Sequence, residues 1–183
     1  MAFGARAGNL HARRAGFGVK RELMNKAEAY HYLTEQKIYY ESIEHKAVFN
    51  MEELDSVELL YPKWDAKNLF VRDDKKQNYY LITVRGNKRV DMNAFRKQHG
   101  LRALSFASAE ELSSVMRLIP GAVTPLGILN DTERRVRFYL DSEFKGNKIG
   151  VHPNDNTATV WMQADDLIRL VLEHGNAAEF AEL

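Results

Sequence analysis

The sequence predicts a single domain in which helices and strands mingle, and three observations lead to this prediction. Its 183 residues suit one domain with a sizeable core. Its composition, with 45% hydrophobic and 10% aromatic residues, is typical of a folded globular protein. Apolar residues recur at both helical and strand spacing along the chain, without a clean βαβ repeat.

The amino-terminal stretch differs from the rest of the chain in charge. Residues 1–20 contain no acidic residue, and removing their four bases leaves 22 basic against 25 acidic residues. The stretch lacks the apolar segment of a secretory signal and the serines of a transit peptide. We predict a disordered leader or a remnant of cloning, and assign the folded domain to residues 21–183. The four bases are Arg6, Arg13, Arg14 and Lys20.

The first predicted elements follow from apolar spacing and capping signals. Residues 22–36 carry apolar side chains three and four positions apart, which predicts an amphipathic helix. Ile38–Ile43 is then predicted as a strand. Asn50, with Glu53 three residues later, is a typical N-cap for a short helix that runs through Leu60.

A hairpin is predicted next. The apolar run Leu69–Val71 indicates a buried strand, residues 73–78 form a polar turn, and Tyr79–Val84 is its partner strand. Lys67 and Asn68 therefore lie at the mouth of a strand. A lysine there is commonly just solvated, but Lys-Asn also combines a point charge with an amide that both donates and accepts.

Positive charge is concentrated between residues 72 and 102, where nine bases face three acids. This excess is the best candidate for a phosphate-facing surface, and an ordinary solvated hairpin and helix is the alternative. The nine bases are Arg72, Lys75, Lys76, Arg85, Lys88, Arg89, Arg96, Lys97 and Arg102.

Two capping signals predict the following helices. Asp91 starts a helix to residue 99, and Ser108 with Glu111 forms a capping box for a helix to residue 118. The other predicted elements are strands at Ala103–Phe106, Val136–Leu140, Lys148–Val151 and Thr157–Met162, and a helix at Asp165–His174.

An uncharged segment, Leu118–Asn130, connects two of these elements. Two prolines and two glycines exclude a regular helix, and glycine lets backbone N–H groups approach a ligand. Ala122, Val123 and Thr124 are small, so a pocket walled by them would be shallow. A buried connection without a ligand is the alternative. The four breaking residues are Pro120, Gly121, Pro125 and Gly127.

Several classes of function are excluded. The absence of cysteine excludes disulfides, thiolate catalysis and cysteine-ligated zinc. No apolar run reaches the roughly 20 residues that span a membrane, so we expect a cytoplasmic protein. His152 with Asp155 makes a poor metal site, because one histidine is a weak ligand set. We predict no metal and no cofactor.

Three stretches together resemble one family. They are Ala66–Phe70, Gly121–Pro125, and His152-Pro153 with Asn156–Thr159. In this order they resemble the YbaK and prolyl-tRNA synthetase insertion-domain family of trans-editing deacylases, over roughly residues 24–175. Within it the chain is most similar to the free-standing alanyl-tRNA(Pro) deacylases. Further support comes from Glu44-His45, Val48-Phe49, Arg89-Val90-Asp91, Leu104-Ser105-Phe106 and Leu129-Asn130-Asp131.

The resemblance implies an α+β fold, with a mixed, partly barrel-like sheet surrounded by helices. It implies hydrolysis of mischarged Ala-tRNA(Pro), with the tRNA(Pro) acceptor end and prolyl-tRNA synthetase as partners. An aminoacyl ester is activated, so its hydrolysis needs a positioned water and donors to the oxyanion rather than a covalent nucleophile. A Cys-tRNA(Pro) deacylase, a non-catalytic tRNA- or synthetase-binding module and a small-molecule esterase or amidase stay open as alternatives.

The resemblance also implies roles for individual residues. Lys67 would bind near the terminal adenosine and the ester, with Asn68 beside it, while backbone N–H groups at Gly121 hold the aminoacyl end and His152 lines the pocket. The base that activates water is assigned to no protein residue. Other expected substrate contacts are His45, Phe49, Ala122, Val123, Thr124, Pro125 and Asn156; expected tRNA contacts are Arg72, Lys75, Lys76, Lys88 and Arg89.

Overall fold

The computed structural model describes residues 24–47 and 59–183. The predicted leader at residues 1–20, the predicted helix at residues 50–60 and Phe49 lie outside the described residues, apart from the last two positions of that helix. Within the described ranges, no helix has both the length and the apolar character needed to cross a membrane.

The described chain combines α-helices, short 3₁₀ turns and two β-sheets. The helices are α1 (Lys26–Glu35), α2 (Met92–Gln98), α3 (Ala109–Met116) and α4 (Ala164–His174). The strands are β1 (Tyr40–Glu44), β2 (Ala66–Asp73), β3 (Tyr79–Arg85), β4 (Leu104–Phe106), β5 (Val136–Asp141), β6 (Lys148–Val151), β7 (Ala158–Gln163) and β8 (Ala178–Ala181). The 3₁₀ turns are Pro62–Trp64, Pro125–Asn130 and Ser142–Phe144.

The predicted helix starts at Asp91 and Ser108 are confirmed. Asp91 accepts hydrogen bonds from two N–H groups of the first turn of α2. Ser108 and Glu111 form the reciprocal capping box of α3. A second capping box, not predicted, lies at Asn25, so α1 begins at Lys26, four residues later than the sequence pattern suggested.

Two sheets form the frame. One has three antiparallel strands in the order β1-β7-β6, and the other has five strands in the order β4-β2-β3-β5-β8. In the second sheet β2 pairs antiparallel with β3 and β4, while β5 pairs parallel with β3 and β8. A parallel bridge between Asp65 and Gly150 joins the two sheets. The α+β class is therefore confirmed, but the sheets form no closed barrel.

Each face of the five-stranded sheet covers its own core. The main core lies between the two sheets, α1, α3, α4 and the segment at residues 118–129. A smaller core lies on the opposite face, where α2 packs Phe95 against Tyr139. Leu172 on α4 is 49% exposed, whereas Leu167, Ile168, Leu170 and Val171 form the buried stripe of that helix. Strand β8 was not predicted.

Asp65 lies at the bridge between the sheets and is buried, with 8% of its surface exposed. Burial raises the pKa of its carboxyl to about 7, although the Ala66 N–H lowers it by donating a hydrogen bond. No described residue forms a hydrogen bond with its Oδ2 atom. An uncharged carboxyl is therefore the form that suits this position.

We expect Asp65→Asn to remove a pH dependence of stability. The folded-state pKa lies above the unfolded value of roughly 4, so the folded state binds the extra proton and wild-type stability falls as pH rises from about 4 to about 7. The variant should gain on the order of 2–4 kcal/mol over wild type at pH 8 and much less at pH 5. Urea unfolding at both pH values measures this, with the exposed Glu133→Gln as control. Parallel pH profiles for wild type and variant would contradict it.

Candidate functional site

The candidate site lies where β2 and β6 separate. The two strands meet at the Asp65–Gly150 bridge, after which β2 pairs with β3 and β4 while β6 ends at Val151. Side chains alternate along an extended chain, so residues two positions beyond a parallel bridge pair return to its side. Those residues are Lys67 and His152. Each of these predicted site residues therefore lies two positions past the bridge, one on each arm of the fork between the strands.

The uncharged loop at residues 118–124 closes the bottom of this fork. The Asn68 side-chain amide donates to the Val123 carbonyl over 3.0 Å. The Thr124 hydroxyl donates to the His152 carbonyl over 2.7 Å. The loop is thus tied to both arms of the fork. Asn68 is itself held by Thr83, whose hydroxyl donates to Asn68 Oδ1 over 2.7 Å.

The loop has a defined conformation and buries two of its three small side chains. Gly121 has φ +87°, which glycine adopts without strain, and the Ala122 N–H closes a turn by donating to the Ile119 carbonyl. Ala122 and Thr124 are buried, and Val123 packs against the main core. Of the three predicted wall residues, Val123 is the one that stays partly exposed. Pro125 is also buried, at the start of the 3₁₀ turn that follows.

Two histidines stand beside the fork, with ring centroids 6.2 Å apart. His45 places Nδ1 2.8 Å from the Lys46 carbonyl and Nε2 3.0 Å from the Thr159 hydroxyl. His152 places Nδ1 2.9 Å from the Ala158 carbonyl. A carbonyl only accepts, so His152 carries a proton on Nδ1 and, when neutral, leaves Nε2 as an acceptor.

The surroundings of His152 favour this neutral form. Burial lowers the pKa of His152 below its usual 6.5, and His45 acts in the same direction. The hydrogen bond to the Ala158 carbonyl and the charge of Asp155 oppose the shift. Near neutral pH the ring is therefore uncharged.

Lys67 and Asn68 project to opposite faces of β2, because the β2–β3 register runs without interruption from Ala66 to Arg72. Lys67 is half-buried and forms no ion pair with a residue of the described chain. Asn156 is buried in the turn after His152. Asp155 stabilises this turn by accepting from the Thr157 N–H.

The basic run between residues 72 and 102 does not form one surface. Arg72 pairs with Glu111 over 3.0 Å near the far end of β2. Lys75 and Lys76 are exposed at the hairpin turn beyond it. At the fork end, Lys88 pairs with the fully buried Asp141 over 2.7 Å, while Arg89 is exposed.

Ion pairs with carboxylates neutralise much of the positive charge between residues 72 and 102. Burial lowers the pKa of Lys88, but Asp141 and Glu143 outweigh it and raise the value overall. Arg85 also pairs with Glu143, and Arg102 pairs with Asp74. Arg89 is therefore the predicted tRNA contact that is both exposed and close to the fork.

Two features of the site escaped prediction from sequence. Thr83 is fully buried and orients Asn68, and Thr159 binds His45. The signal for Thr83 was present, since it is a hydroxyl in the otherwise apolar core of β3. Over the part of the chain that is described, no three histidine, aspartate or glutamate side chains group as metal ligands would.

Comparison with known proteins identifies the family of this chain. A sequence model of the aminoacyl-tRNA editing domain matches residues 45–170. The chain is 37% identical over 152 residues to the prolyl-tRNA editing protein ProX of Acetoanaerobium sticklandii, which covers 82% of this chain and 93% of that protein. It is 33% identical over 141 residues to prolyl-tRNA synthetase associated domain-containing protein 1 of Mus musculus. That match covers 74% of this chain and 83% of the mouse protein.

A solved structure shares the fold. It is that of a candidate trans-editing enzyme for prolyl-tRNA synthetase, with a TM-score of 0.64 and 21% identity. The match covers 88% of this chain and 98% of that one. At this identity the likeness establishes the arrangement of sheets and helices alone.

We expect NMR titration of the imidazole nitrogens to give His152 a pKa below 6.5 and a proton on Nδ1 in the neutral form. His45→Gln should raise the His152 pKa, because a neighbouring imidazole that disfavours its charge is removed. The exposed His31→Gln is the matched control and should leave it unchanged. A His152 pKa above 6.5, or a proton on Nε2, would contradict this description of the site.

Proposed function

The chain belongs to the family of aminoacyl-tRNA editing domains, and on that premise we propose that it deacylates mischarged tRNA(Pro), with alanine as the preferred amino acid. The observation that carries the proposal is the fork. It combines a lysine without an ion pair to a described residue, a neutral histidine and a glycine-containing loop tied to both arms. These groups suit an activated ester attached to a phosphate-rich chain.

The proposed reaction needs few protein groups. A water oxygen bonds to the ester carbonyl carbon, the carbonyl oxygen becomes an oxyanion, and the bond to the terminal ribose oxygen then breaks. The proton from water ends on that ribose oxygen, and the neighbouring ribose hydroxyl orients the water. Because the Ala122 N–H is bonded to Ile119, we assign the oxyanion to the N–H groups of Gly121 and Val123.

Lys67 and His152 have different proposed tasks. The ammonium of Lys67 contacts the terminal adenosine next to the ester, where its charge attracts phosphate and polarises the carbonyl. The Nε2 lone pair of neutral His152 accepts a hydrogen bond from the substrate's ammonium group or from the water. Arg89, exposed near the same end of the sheet, contacts the acceptor stem.

Selection by size follows from the loop. A synthetase pocket shaped for proline cannot exclude alanine, since the smaller side chain enters and loses only a few kcal/mol of contacts. Editing therefore requires a second site that accepts alanine and rejects proline. A loop whose Ala122 and Thr124 are buried, with Thr124 bonded to the His152 carbonyl, has no room to recede and admit a pyrrolidine ring.

A tRNA(Pro) acceptor end is accordingly the proposed ligand, with prolyl-tRNA synthetase as a further partner. Support comes from the names of the relatives, a prolyl-tRNA editing protein and a prolyl-tRNA synthetase associated protein. Editing during translation would take place in the cytoplasm.

The deciding experiment compares initial deacylation rates on Ala-, Pro- and Cys-tRNA(Pro) under one condition. We expect rapid hydrolysis of Ala-tRNA(Pro), slower hydrolysis of Cys-tRNA(Pro) and little of Pro-tRNA(Pro), because overpacking the fork costs about 1–3 kcal/mol. Equal rates on alanine and proline would refute the size argument. A preference for cysteine would make the chain a Cys-tRNA(Pro) deacylase, and tRNA binding without hydrolysis would make it a binding module.

Lys67→Ala should lower kcat/KM on Ala-tRNA(Pro) by about 100-fold while the unfolding midpoint stays near wild type, because the lost contact is to substrate. The matched control is Lys145→Ala, an exposed lysine to which no role in substrate binding is assigned. Its rate should equal that of wild type. Wild-type turnover in Lys67→Ala would remove Lys67 from the mechanism.

A further inference from the structure

Thr83 occupies a position that nothing in the proposed chemistry uses directly. It lies on β3 opposite Asn68 of β2, in direct antiparallel register, so both side chains share one face of the sheet. Thr83 is fully buried. It therefore meets no substrate, and its effect on the site passes through Asn68.

The hydroxyl of Thr83 completes the bonding of the Asn68 amide. Thr83 donates to Oδ1 over 2.7 Å, and Nδ2 on the other side donates to the Val123 carbonyl over 3.0 Å. Turning the amide over would place Oδ1 against the Val123 carbonyl, and two acceptors repel each other. The donor on Thr83 and the acceptor on Val123 thus favour the same amide orientation.

This pairing fixes a backbone atom of the loop. The Val123 carbonyl is held at the β2 arm of the fork, and the next residue, Thr124, is held at the other arm by its bond to the His152 carbonyl. These bonds anchor the carboxyl end of the loop, and the turn closed by the Ala122 N–H orders its amino-terminal side, so the N–H groups of Gly121 and Val123 keep one direction. A loosened Asn68 would free the β2 side of the loop and leave the His152 side in place.

We propose that Thr83 is a positioning residue that holds the Gly121–Val123 donors in place through Asn68. This inference rests on the proposed deacylase function. It makes β3, a strand without contact to substrate, responsible for the geometry of the oxyanion donors and for the size limit of the fork. Thr83 should therefore affect turnover and discrimination more than substrate binding.

The test compares Thr83→Val, which keeps the shape and removes the donor, with Thr83→Ser, which keeps the donor. For Thr83→Val we expect kcat on Ala-tRNA(Pro) to fall about ten-fold, the size expected from losing one buried hydrogen bond. KM should change less, and the preference for alanine over proline should shrink. Thr83→Ser should recover most of the wild-type kcat and most of the preference for alanine over proline. A Thr83→Val variant with wild-type kcat and wild-type discrimination overturns the proposal.

A second measurement separates this proposal from the proposed function. The Asn68 side-chain NH₂ signals should show slow hydrogen exchange in wild type and Thr83→Ser, and fast exchange in Thr83→Val. Fast exchange in wild type overturns the positioning role even if the valine variant does not fold. A further outcome is that wild type hydrolyses none of the three tRNAs while the Asn68 NH₂ group exchanges slowly only in the proteins that keep the residue-83 hydroxyl. That result would refute the deacylase function and support the restraint on Asn68.

Discussion

The bridge between Asp65 and Gly150 is the constraint on which the site depends. It holds two sheets together at one point and lets their strands separate immediately beyond it. Lys67 and His152 each lie two residues past this point, one on each arm of the fork. Glycine is required at position 150, since a Cβ there would lie 2.6 Å from the Trp161 indole nitrogen. The close approach of that ring thus fixes both the bridge and the start of the fork.

The distribution of charge separates structural from available cations. Arg72, Lys88 and Arg102 are each matched by a carboxylate, and Lys88 neutralises an aspartate that is completely buried. Lys67 has no such partner in the described chain, although it is half-buried. A cation that stays unpaired at a partly desolvated position keeps more of its field for a ligand. Charge counted along the sequence does not separate these two kinds of cation.

Local signals predicted the elements well, because caps and strand runs act over a few residues. The β2–β3 hairpin, which contains Leu69, and the capping box at Ser108 were both predicted from such local signals. Strand β8 was missed, since its alternation is weak and its partner β5 is distant in sequence. The site residues Lys67, Gly121 and His152 came from family resemblance. Their arrangement could not be predicted from spacing, because it depends on the bridge between two distant segments.

The pairing of β1 with β7 has a consequence for how the chain folds. Tyr40 pairs with Met162, and His45 reaches Thr159 across the same long separation in sequence. Closing so large a loop must precede any gain from these contacts, which slows folding. On the ribosome, the segment around His45 must wait for β7 to be synthesised. The histidine pair is therefore among the last features to assemble, and a nascent chain lacking β7 has the loop and Lys67 but no complete fork.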